Sequence, residues 1–410
     1  MQNWQIKKLG EICTISIGKT PSRANNKFWD VGKERNNIWL SIRDLNSTVG
    51  KKIFDSREYI SNSGADLFKI VPKGTLLVSF KLTLGRLAFA GTDLYTNEAI
   101  AALEIKNDEE IDKQYLYYYL SFFDWDAETK GDTKVKGKTL NKAKLKAISV
   151  VLPPLPEQKR LVSLLDELFE KLEKGKENAE KNLKNVKELF EAYFENLFSK
   201  AKDDWEEKSF GDKELLQIVD GDRGKNYPKK SDFLEDGYCL FMNTKNVRQD
   251  GFDFNQTMFI TKQKDEVLGK GRLERSDVVL TTRGTVGNIG FYSNDVPYNA
   301  IRINSGMLIF RTNKDLLLPE YLFELLRSGF IKSQIEKHVS GAAQPQLPIK
   351  TLVNFRLPLP KSLNQQREIV EKIRVFNSET KKLEKIYKKK VTHFDELKQS
   401  ILHQAFTGKL

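Results

Sequence analysis

The sequence predicts an α+β protein in which two strand-rich domains, related by a pseudo-twofold axis, are separated by two long helices that form an antiparallel coiled coil. Three observations support this prediction. The chain of 410 residues repeats its motifs once, at a spacing of about 200 residues. Within each repeat, short β-branched runs alternate with Gly, Asn, Asp and Pro turns, as strands do. Each repeat then ends in a stretch with apolar residues at heptad spacing, which is typical of coiled coils.

Six short segments recur in the same order, which argues against chance similarity. The offset between partners grows slowly from 201 to 208 residues, so the repeat predicts one duplicated module rather than a solenoid. The paired segments are Trp4-x5-Gly10 with Trp205-x5-Gly211, residues 75–89 with 277–291, 97–100 with 299–301, 115–120 with 321–326, 152–156 with 357–360, and 158–162 with 366–370.

Each repeat begins with a globular part, residues 1–156 and residues 201–363. Apolar runs bounded by turn residues predict strands, and runs rich in Tyr, Phe and Leu predict short helices. The mixture is that of an α+β domain. The predicted strand cores are residues 76–78, 103–105, 278–280 and 307–310, and the predicted helices are residues 115–123 and 320–327.

Residues 157–200 and 364–410 are predicted to be the two spacer helices, each about 40 residues or roughly 60 Å long. Apolar residues alternate at spacings of four and three over about six heptads. Leu152-Pro-Pro-Leu-Pro156 and Leu357-Pro-Leu-Pro360 end the preceding strands and start these helices. The predicted seam is Leu161, Leu165, Leu168, Leu172, Ala179, Val186, Leu189 and Tyr193 in the first helix and Ile369, Ile373, Phe376, Leu383, Tyr387, Phe394, Leu397 and Ile401 in the second.

The duplication favours antiparallel pairing of these two helices with each other. The alternatives are that each helix packs along its own domain, or that it pairs with a second chain. Gly175 interrupts the first seam and is either a local bend or a tolerated surface glycine. Asn182 and Lys390, also at seam positions, either set the register or face solvent.

Composition narrows the class of protein. Charged residues make up 30% and hydrophobic residues 39% of the chain, which suits a globular protein. A formal net charge of +12 favours a polyanionic partner, nucleic acid before membrane. Two cysteines, Cys13 and Cys239, and three histidines exclude a disulfide framework and leave little for metal chemistry. Neither a signal core nor an apolar run of about 20 residues is found, so the sequence predicts a cytoplasmic protein.

Catalytic motifs are missing from the sequence. Gly18-Lys19-Thr20 resembles the end of a phosphate-binding loop, but Cys13 stands where that loop needs glycine. Gly284, Gly287 and Gly290 have the wrong spacing for a dinucleotide turn and predict tight turns in a sheet. The Pro-Pro-Tyr or Pro-Pro-Phe signature of an adenine methyltransferase does not occur. A nuclease built from scattered Asp, Glu and Lys has no motif by which it could be excluded.

Basic residues cluster in turn-like segments, where side chains can approach phosphates and base edges. Examples are residues 18–23 and 222–230, and residues 134–146 carry six lysines. The alternative is that these loops are simply solvated. The same choice applies to the lysines of the second helix at 381–382 and 388–390, which either face solvent or contact a DNA backbone or an acidic partner.

The organisation resembles the DNA-specificity subunit of type I restriction-modification systems. Domain, helix, domain and helix follow one another, and Leu152-Pro-Pro-Leu-Pro-Glu-Gln-Lys-Arg-Leu-Val162 opens the first helix. Residues 397–410 are similar to the usual ending of that family. Trp-x5-Gly with Gly18-Lys-Thr-Pro-Ser22 resembles the start of its first target-recognition domain. Residues 222–228 and 241–247 resemble the opening of the second, and Ser340-Gly-Ala-Ala-Gln344 resembles the turn before the second helix start.

The resemblance implies a subunit without a catalytic centre or cofactor of its own. Each recognition domain would read one half of a split, asymmetric double-stranded DNA target, and the helices would set the gap. Two modification subunits, which bind S-adenosylmethionine and methylate adenine, would dock on it, and two motor-nuclease subunits can join them. The alternatives are a self-sufficient DNA nuclease or methyltransferase, and a basic coiled-coil adaptor that binds protein.

The resemblance does not transfer individual contact residues, because the loops at Gly18 and Gly221 do not align with each other. Gly85 and Gly287 match in the two repeats and are predicted to serve the backbone rather than the target. The DNA-contacting candidates therefore rest on charge and turn placement. They are Lys19, Arg23, Arg43, Lys81, Arg86, Lys136, Arg223, Lys225, Asn226, Lys245, Arg283 and Asn288.

Overall fold

Contacts in the computed structural model divide the chain into two compact units. The first unit is Met1–Glu180 with Lys389–Leu410, and the second is Lys181–Lys388. Each unit contains one strand-rich module and a part of each long helix. The predicted domain limits at 156, 200 and 363 stay a prediction. The structure describes residues 4–48, 50–129, 133–134, 137–199, 205–249, 251–341 and 345–410.

The strand-rich module of the first unit is built from short elements. Its helices are α1 Leu9–Ile12, α2 Ile42–Ser47, α3 Asn62–Ala65, α4 Lys113–Phe122 and α5 Lys142–Ala147, and the long helix α6 Leu155–Ser199 follows. Its strands are β1 Gln5–Lys8, β2 Cys13–Ile17, β3 Ile38–Leu40, β4 Lys52–Ile53, β5 Glu58–Tyr59, β6 Leu76–Ser79, β7 Lys81–Leu82, β8 Leu87–Ala90, β9 Tyr95–Thr96, β10 Ile100–Ile105, β11 Thr133–Lys134, β12 Gly137–Thr139 and β13 Ser149–Leu152.

The central sheet of the first unit has the order β2-β10-β6-β8-β4, with β4 parallel to β8 and the other neighbours antiparallel. Strand β6 is apolar over residues 76–78 because both of its faces are covered. Leu76 and Val78 share an apolar cluster with Tyr115 of α4. Leu77 points to the other face and joins a second cluster with Ala88. Three smaller sheets, β1-β13, β5-β3-β9 and β11-β12-β7, also belong to the module.

The second module repeats this arrangement. Its helices are α7 Lys262–Glu266, α8 Pro319–Arg327, α9 Gly329–His338 and α10 Ile349–Leu352, and the long helix α11 Leu363–Phe406 follows. Its strands are β14 Trp205–Ser209, β15 Leu216–Asp220, β16 Cys239–Met242, β17 Val247–Arg248, β18 Gly251–Phe252, β19 Phe259–Ile260, β20 Val278–Thr281, β21 Ile289–Phe291, β22 Ile301–Ile303, β23 Met307–Thr312 and β24 Arg356–Pro360.

The main sheet of the second unit is β15-β23-β20-β21, and β20 alternates between two clusters as β6 does. Val278 and Leu280 pack in the cluster of Tyr321 from α8, whereas Val279 joins the opposite one. The four predicted strand cores are confirmed as parts of β6, β10, β20 and β23. The two predicted short helices are confirmed as α4 and α8, shifted by one or two residues.

One of the six sequence pairings is wrong. Strand β9 runs parallel to β3 with Thr96 opposite Leu40, and β22 runs parallel to β16 with Ile303 opposite Met242. The next residue in each case, Asn97 or Asn304, donates its N–H to that neighbouring strand. Residues 97–100 therefore correspond to 304–307 and not to 299–301, because strand pairing, rather than the shared Asn-Ala-Ile letters, fixes the equivalence.

The long helices α6 and α11 are 45 and 44 residues long, or about 65 Å each. Within the first unit, Lys176 Nζ lies 2.7 Å from Asp395 Oδ1. Within the second unit, the ring centroids of Tyr193 and Phe376 are 4.3 Å apart. Partner numbers rise along one helix as they fall along the other, so the predicted antiparallel coiled coil within one chain is confirmed.

The seam of this coiled coil differs from the prediction at several positions. Leu189 is 56% exposed, and Phe190, one residue on, packs against Phe376 instead. Leu383 and Leu397 are also exposed. Helical spacing of 3.6 residues drifts relative to a heptad, so the buried stripe moves off positions chosen by a fixed repeat.

Gly175 is neither a bend nor a surface glycine. Helix α6 continues through it, and a Cβ built at Gly175 would lie 2.7 Å from the ring of Phe394. The glycine therefore makes room for the aromatic ring of the opposite helix. Asn182 and Lys390 are both exposed, which favours the solvent-facing alternative for these two side chains.

Two buried glutamines attach the long helices to their modules. Gln158 is fully buried, and its Nε2 donates to Pro153 O at 2.8 Å and Glu110 O at 2.9 Å. Its Oε1 accepts from Asp112 N, the cap of α4, at 2.9 Å. Gln366 makes the same three kinds of bond at the start of α11. The repeated Gln of the helix-start motif thus fixes the angle at which each helix leaves its module.

Cys13 and Cys239 are buried in the two modules, and burial raises the pKa of both thiols to about 12. In the same apolar cluster as Cys13, Phe406 of α11 packs against Tyr115, Tyr119 and Phe122 of α4. Among the described residues, no helix combines the length and the apolar character that crossing a membrane requires.

Candidate nucleic-acid interface

A turn at residues 304–306 organises the predicted contact residues of the second module. Two successive backbone N–H groups, those of Thr282 and Arg283, donate to Gly306 O at 2.8 and 3.2 Å. Arg223 Nη2 lies 3.3 Å from Ser305 O. We call residues 304–306 the central turn of the second module and residues 97–99 the central turn of the first module.

Lys245 also lies beside the central turn. It sits in the single helical turn Thr244–Asn246, and the methyl group of Thr244 lies 3.0 Å from a Cβ built at Gly306. Arg223, Lys245 and Arg283 are all exposed. The structure therefore brings three of the predicted cations together on one surface, although they lie far apart in sequence.

The loop that carries Arg223 is held by a buried ionic network. Asp222 accepts hydrogen bonds from Gly224 N and Gly269 N, both at 2.7 Å, and from Lys270 N at 3.3 Å. Burial alone would raise the pKa of the Asp222 carboxyl, but the three N–H groups outweigh it and hold that pKa below its usual range. Arg302, 5% exposed, donates to Lys270 O at 2.7 Å.

Arg302 also forms an ion pair with Asp265, which is fully buried. Arg272 Nη1 lies 2.8 Å from the second oxygen of the same carboxylate. Buried charges of this kind are tolerated when they are paired and hydrogen-bonded. The network joins residues 265–272 to the 222–224 loop, so the loop is positioned before any ligand arrives.

The first module builds its central turn in the same way. Lys19 N donates to Thr96 O at 2.9 Å, and Phe80 N donates to Ala99 O at 3.0 Å. A Cβ built at Gly18 would lie 1.8 Å from Thr96 O, so this position needs glycine. Lys19 is exposed beside the turn, and Lys81 follows Phe80 directly.

Arg43 and Arg86 lie on neighbouring elements of that surface. Arg43 is exposed on α2, at the position that corresponds to Lys245. Asn46 Nδ2 donates to Thr83 Oγ1 at 3.2 Å and so links α2 to the turn between β7 and β8, where Arg86 is exposed. Lys81 is partly buried, with its Nζ 5.3 Å from the ring of Phe80.

Contacts with two aromatic rings and a carboxylate fix the position of the Arg23 side chain. Its guanidinium stacks on Trp29, with 4.0 Å between Cζ and the ring centroid, and lies 5.1 Å from the centroid of Trp39. Both of its terminal nitrogens bond to Glu58, and this hydrogen bonding raises the pKa of the guanidinium. The aromatic rings and the carboxylate hold Arg23 in one orientation at the surface.

Gly85, between β7 and β8, and Gly287, between β20 and β21, allow a backbone conformation that other residues rarely adopt. Gly85 has φ +72° and Gly287 has φ +96°, in the region that favours glycine. Gly85 N donates to Ser79 O, and Gly287 N donates to the equivalent Thr281 O. This confirms the predicted backbone role of both glycines.

No group of three or more His, Cys, Asp or Glu able to hold a metal ion occurs in the described part of the chain.

Comparison with known proteins identifies the family. A family model described as the type I restriction modification DNA specificity domain matches residues 1–181 and again residues 202–393. The chain belongs to this family. Its two modules are the two target-recognition domains of a type I specificity subunit, called the first and second recognition domains below.

Relatives and solved structures agree with this assignment. The type I restriction enzyme MjaVIII specificity subunit of Methanocaldococcus jannaschii is 25% identical over 100% of this chain and 93% of its own length. The EcoBI specificity subunit of Escherichia coli is 24% identical over 77% of this chain and 69% of its own. A crystal structure of the HsdS subunit from Thermoanaerobacter tengcongensis shares the fold, with a TM-score of 0.64, 18% identity and coverage of 100% and 98%.

A chain from a structural study of complex assembly and conformational transition of the type I R-M system superposes with a TM-score of 0.74. It is 18% identical and covers 100% of this chain and 99% of its own length. At these identities the likeness shows the fold. The family assignment supports neither of the alternatives, a self-sufficient enzyme or a protein adaptor.

The remaining candidates lie in other settings. Asn226 Nδ2 donates to Val267 O at 3.0 Å, and Asn288 Nδ2 donates to Val247 O at 2.9 Å, so both amides bond to the main chain of the second recognition domain. Lys225 is exposed beside Arg223. Lys136 lies outside the described residues, as do residues 342–344 of the Ser340–Gln344 turn.

The lysine-rich segment 134–146 is only partly a loop, because residues 142–147 form α5, capped by Asn141. Sequence reasoning missed Trp29, Asp222, Asp265 and Arg302 as positioning groups. Asp222 adjoins a predicted contact and could have been found as a turn-forming Asp. The other three act through partners distant in sequence, which leave no local signal. Whether any candidate touches DNA stays a prediction.

Proposed function

We propose that this chain determines the DNA sequence specificity of a type I restriction-modification complex, with each recognition domain reading one half of a split double-stranded target. The observation that supports the proposal is the repetition of one construction. Each domain places exposed cations around a central turn that main-chain hydrogen bonds hold in place. Cations at such a surface can bind phosphates and position nearby side chains against base edges.

The two half-sites are expected to differ from each other. At equivalent positions the first domain carries Arg43 and Lys81 where the second carries Lys245 and Arg283. The loops before the central turns also differ, since Arg23 is held by Trp29 in the first, whereas the second uses the Asp222 network. Different side chains on one backbone plan support an asymmetric target.

The helices are proposed to set the unspecified gap between the half-sites and to dock two modification subunits. These partners would bind S-adenosylmethionine and methylate adenine, while this chain contributes no catalytic group or cofactor. Two motor-nuclease subunits would join where the system also cuts DNA. Support comes from the length of α6 and α11 and from the buried glutamines at their starts, which give each helix a fixed departure from its domain.

The test is methylation sequencing of DNA exposed to this chain with its modification subunits, and to those subunits alone. We expect adenine methylation at one split, asymmetric site that disappears without this chain. Matched variants assign the halves: Lys81→Ala should weaken methylation through the first half-site and Arg283→Ala through the second. A single palindromic site would contradict the asymmetry. An assembled complex with no sequence-dependent methylation would contradict the proposed function itself.

A further inference from the structure

Leu82 occupies a backbone conformation that leucine rarely adopts. Its φ is +67°, in the left-handed region where the side chain of an L-residue crowds the following carbonyl. Four described non-glycine residues have positive φ: Lys33, Asn36, Leu82 and Ser276. Leu82 is the apolar one among them, and such residues concentrate at functional sites.

Packing does not account for this leucine. Its side chain is 51% exposed. Within the described part of the first unit, Leu82 joins none of the apolar clusters, although Leu84 on the same turn and Leu87 at the start of β8 pack against the main one. An exposed leucine in a disfavoured conformation contributes little to folding, so its identity calls for another reason.

The second recognition domain shows what the fold itself needs at this position. Leu140 N donates to Phe80 O at 2.9 Å, and the equivalent Leu347 N donates to Thr282 O, also at 2.9 Å. Counting two residues on from Phe80 and from Thr282 places Gly284 at the position of Leu82. Gly284 has φ +72°, and a Cβ built on it would meet nothing within 4 Å. The backbone plan thus requires a positive φ, and the leucine side chain is an addition made by the first domain alone.

The surroundings of Leu82 are polar and cationic. Lys81 precedes it, Arg86 is exposed on the same turn, and Thr83 bonds to α2, which carries Arg43. An exposed apolar side chain surrounded by cations can bind a ligand that has phosphates for the cations and an apolar group between those phosphates. Duplex DNA has these properties, because thymine presents its C5-methyl group in the major groove between the two phosphate backbones.

We propose that Leu82 contacts the C5-methyl group of a thymine in the half-site read by the first recognition domain, and thereby selects that base. The proposal rests on the proposed function and adds a specificity-determining residue to it. Lys81 and Arg86 would hold the phosphates on either side, and the β7–β12 pairing of Leu82 with the backbone of Lys138 would fix the direction of approach. The second domain, with Gly284, would lack this contact.

The test uses the Leu82→Gly variant in the complete complex with its modification subunits. Glycine adopts a positive φ readily, so the midpoint temperature of thermal unfolding should be unchanged or slightly raised. Methylation sequencing should show that the preference for thymine is lost at one position of the first half-site, with the second half-site unchanged. Loss of one methyl contact predicts an effect of about tenfold on methylation of the original site. Leu82→Asn, which also tolerates positive φ, should behave in the same way.

A chemical control separates this contact from other effects. Replacing that thymine by deoxyuridine removes only the methyl group, and it should lower methylation by the unaltered complex about tenfold. The Leu82→Gly complex should show no further loss on the uracil duplex. Ile6→Ala, which shortens an apolar side chain that is 70% exposed on β1, should leave both duplexes unaffected.

Several results would overturn the proposal while the proposed function stands: a first half-site without thymine, an unchanged site preference for Leu82→Gly, or equal methylation of the thymine and uracil duplexes. Reduced co-purification of Leu82→Gly with the modification subunits, at unaltered specificity, would make Leu82 a protein contact instead. If the unaltered complex methylates without sequence preference, the proposed function fails first.

Discussion

Replacing Gln158 by leucine should loosen the junction between the first recognition domain and α6. The change keeps the volume but leaves three main-chain groups without their partner: Pro153 O in a buried bond, and Asp112 N–H and Glu110 O in partly buried ones. A buried polar group left unsatisfied costs about 1–3 kcal/mol. With Pro153 O at the full cost and the two partly buried groups at a smaller one, we expect a loss of about 3 kcal/mol at this junction.

Hydrogen–deuterium exchange followed by mass spectrometry measures this loss locally. A decrease of about 3 kcal/mol corresponds to opening roughly 100-fold more often, so amides of residues 112–122 and the first turns of α6 should exchange that much faster. Gln366→Leu should produce the same change in residues 318–327 and leave the first unit alone. Gln404→Leu, an exposed glutamine of the first unit, is the matched control. Unchanged exchange around Asp112 in Gln158→Leu would refute the assignment of Gln158 as the attachment.

Three further predictions follow from the buried groups. The pKa of the Asp222 carboxyl is held below its usual value of 3.8. The stability that this carboxylate contributes is therefore complete above pH 3.8 and is lost as the pH falls through the lowered pKa. Urea unfolding should show Asp222→Asn less stable than the native chain at pH 7 and equally stable in strong acid. Arg302→Met should destabilise the second domain by about 3 kcal/mol, because the buried carboxylate of Asp265 loses its buried partner and keeps only the ion pair with the more exposed Arg272. Equal midpoints in thermal unfolding of the variant and the native chain would contradict this. Gly175→Ala should destabilise the coiled coil by about 1–3 kcal/mol, although alanine favours helix, because its methyl group would meet the Phe394 ring. Phe394→Leu should restore stability in the double variant. A Gly175→Ala variant more stable than the native chain would show that the Phe394 ring does not fill this space.

Much of the architecture was predictable because it depends on local periodicity. Apolar spacing located the two long helices, found at Leu155–Ser199 and Leu363–Phe406, within a few residues of their ends. The continuous apolar runs at 76–78 and 278–280 predicted strands because both faces of those strands are covered. Duplication supplied the antiparallel pairing, since it makes the two helices equivalent.

The features that position the site depend on contacts between distant residues, and no local pattern encodes them. Arg23 looked like a free cation in its own loop, yet Glu58 and Trp29 hold it. Gly175 looked like an interruption until Phe394 of the other helix was placed beside it. Sequence similarity also misplaced Asn97, because the chain between equivalent strands differs in length and the shared letters at 299–301 belong to another element.

The two recognition domains indicate how one fold can serve different targets. Equivalent bonds from main chain to main chain help to hold each central turn, as from Phe80 N to Ala99 O and from Thr282 N to Gly306 O. Such bonds do not depend on which side chains the neighbouring positions carry. The same backbone therefore accepts leucine at 82 in one domain and glycine at 284 in the other, at nearly equal φ. Because the backbone frame does not depend on the side chains proposed to contact DNA, substitutions at those positions should change the bases that are read without unfolding the domain that presents them.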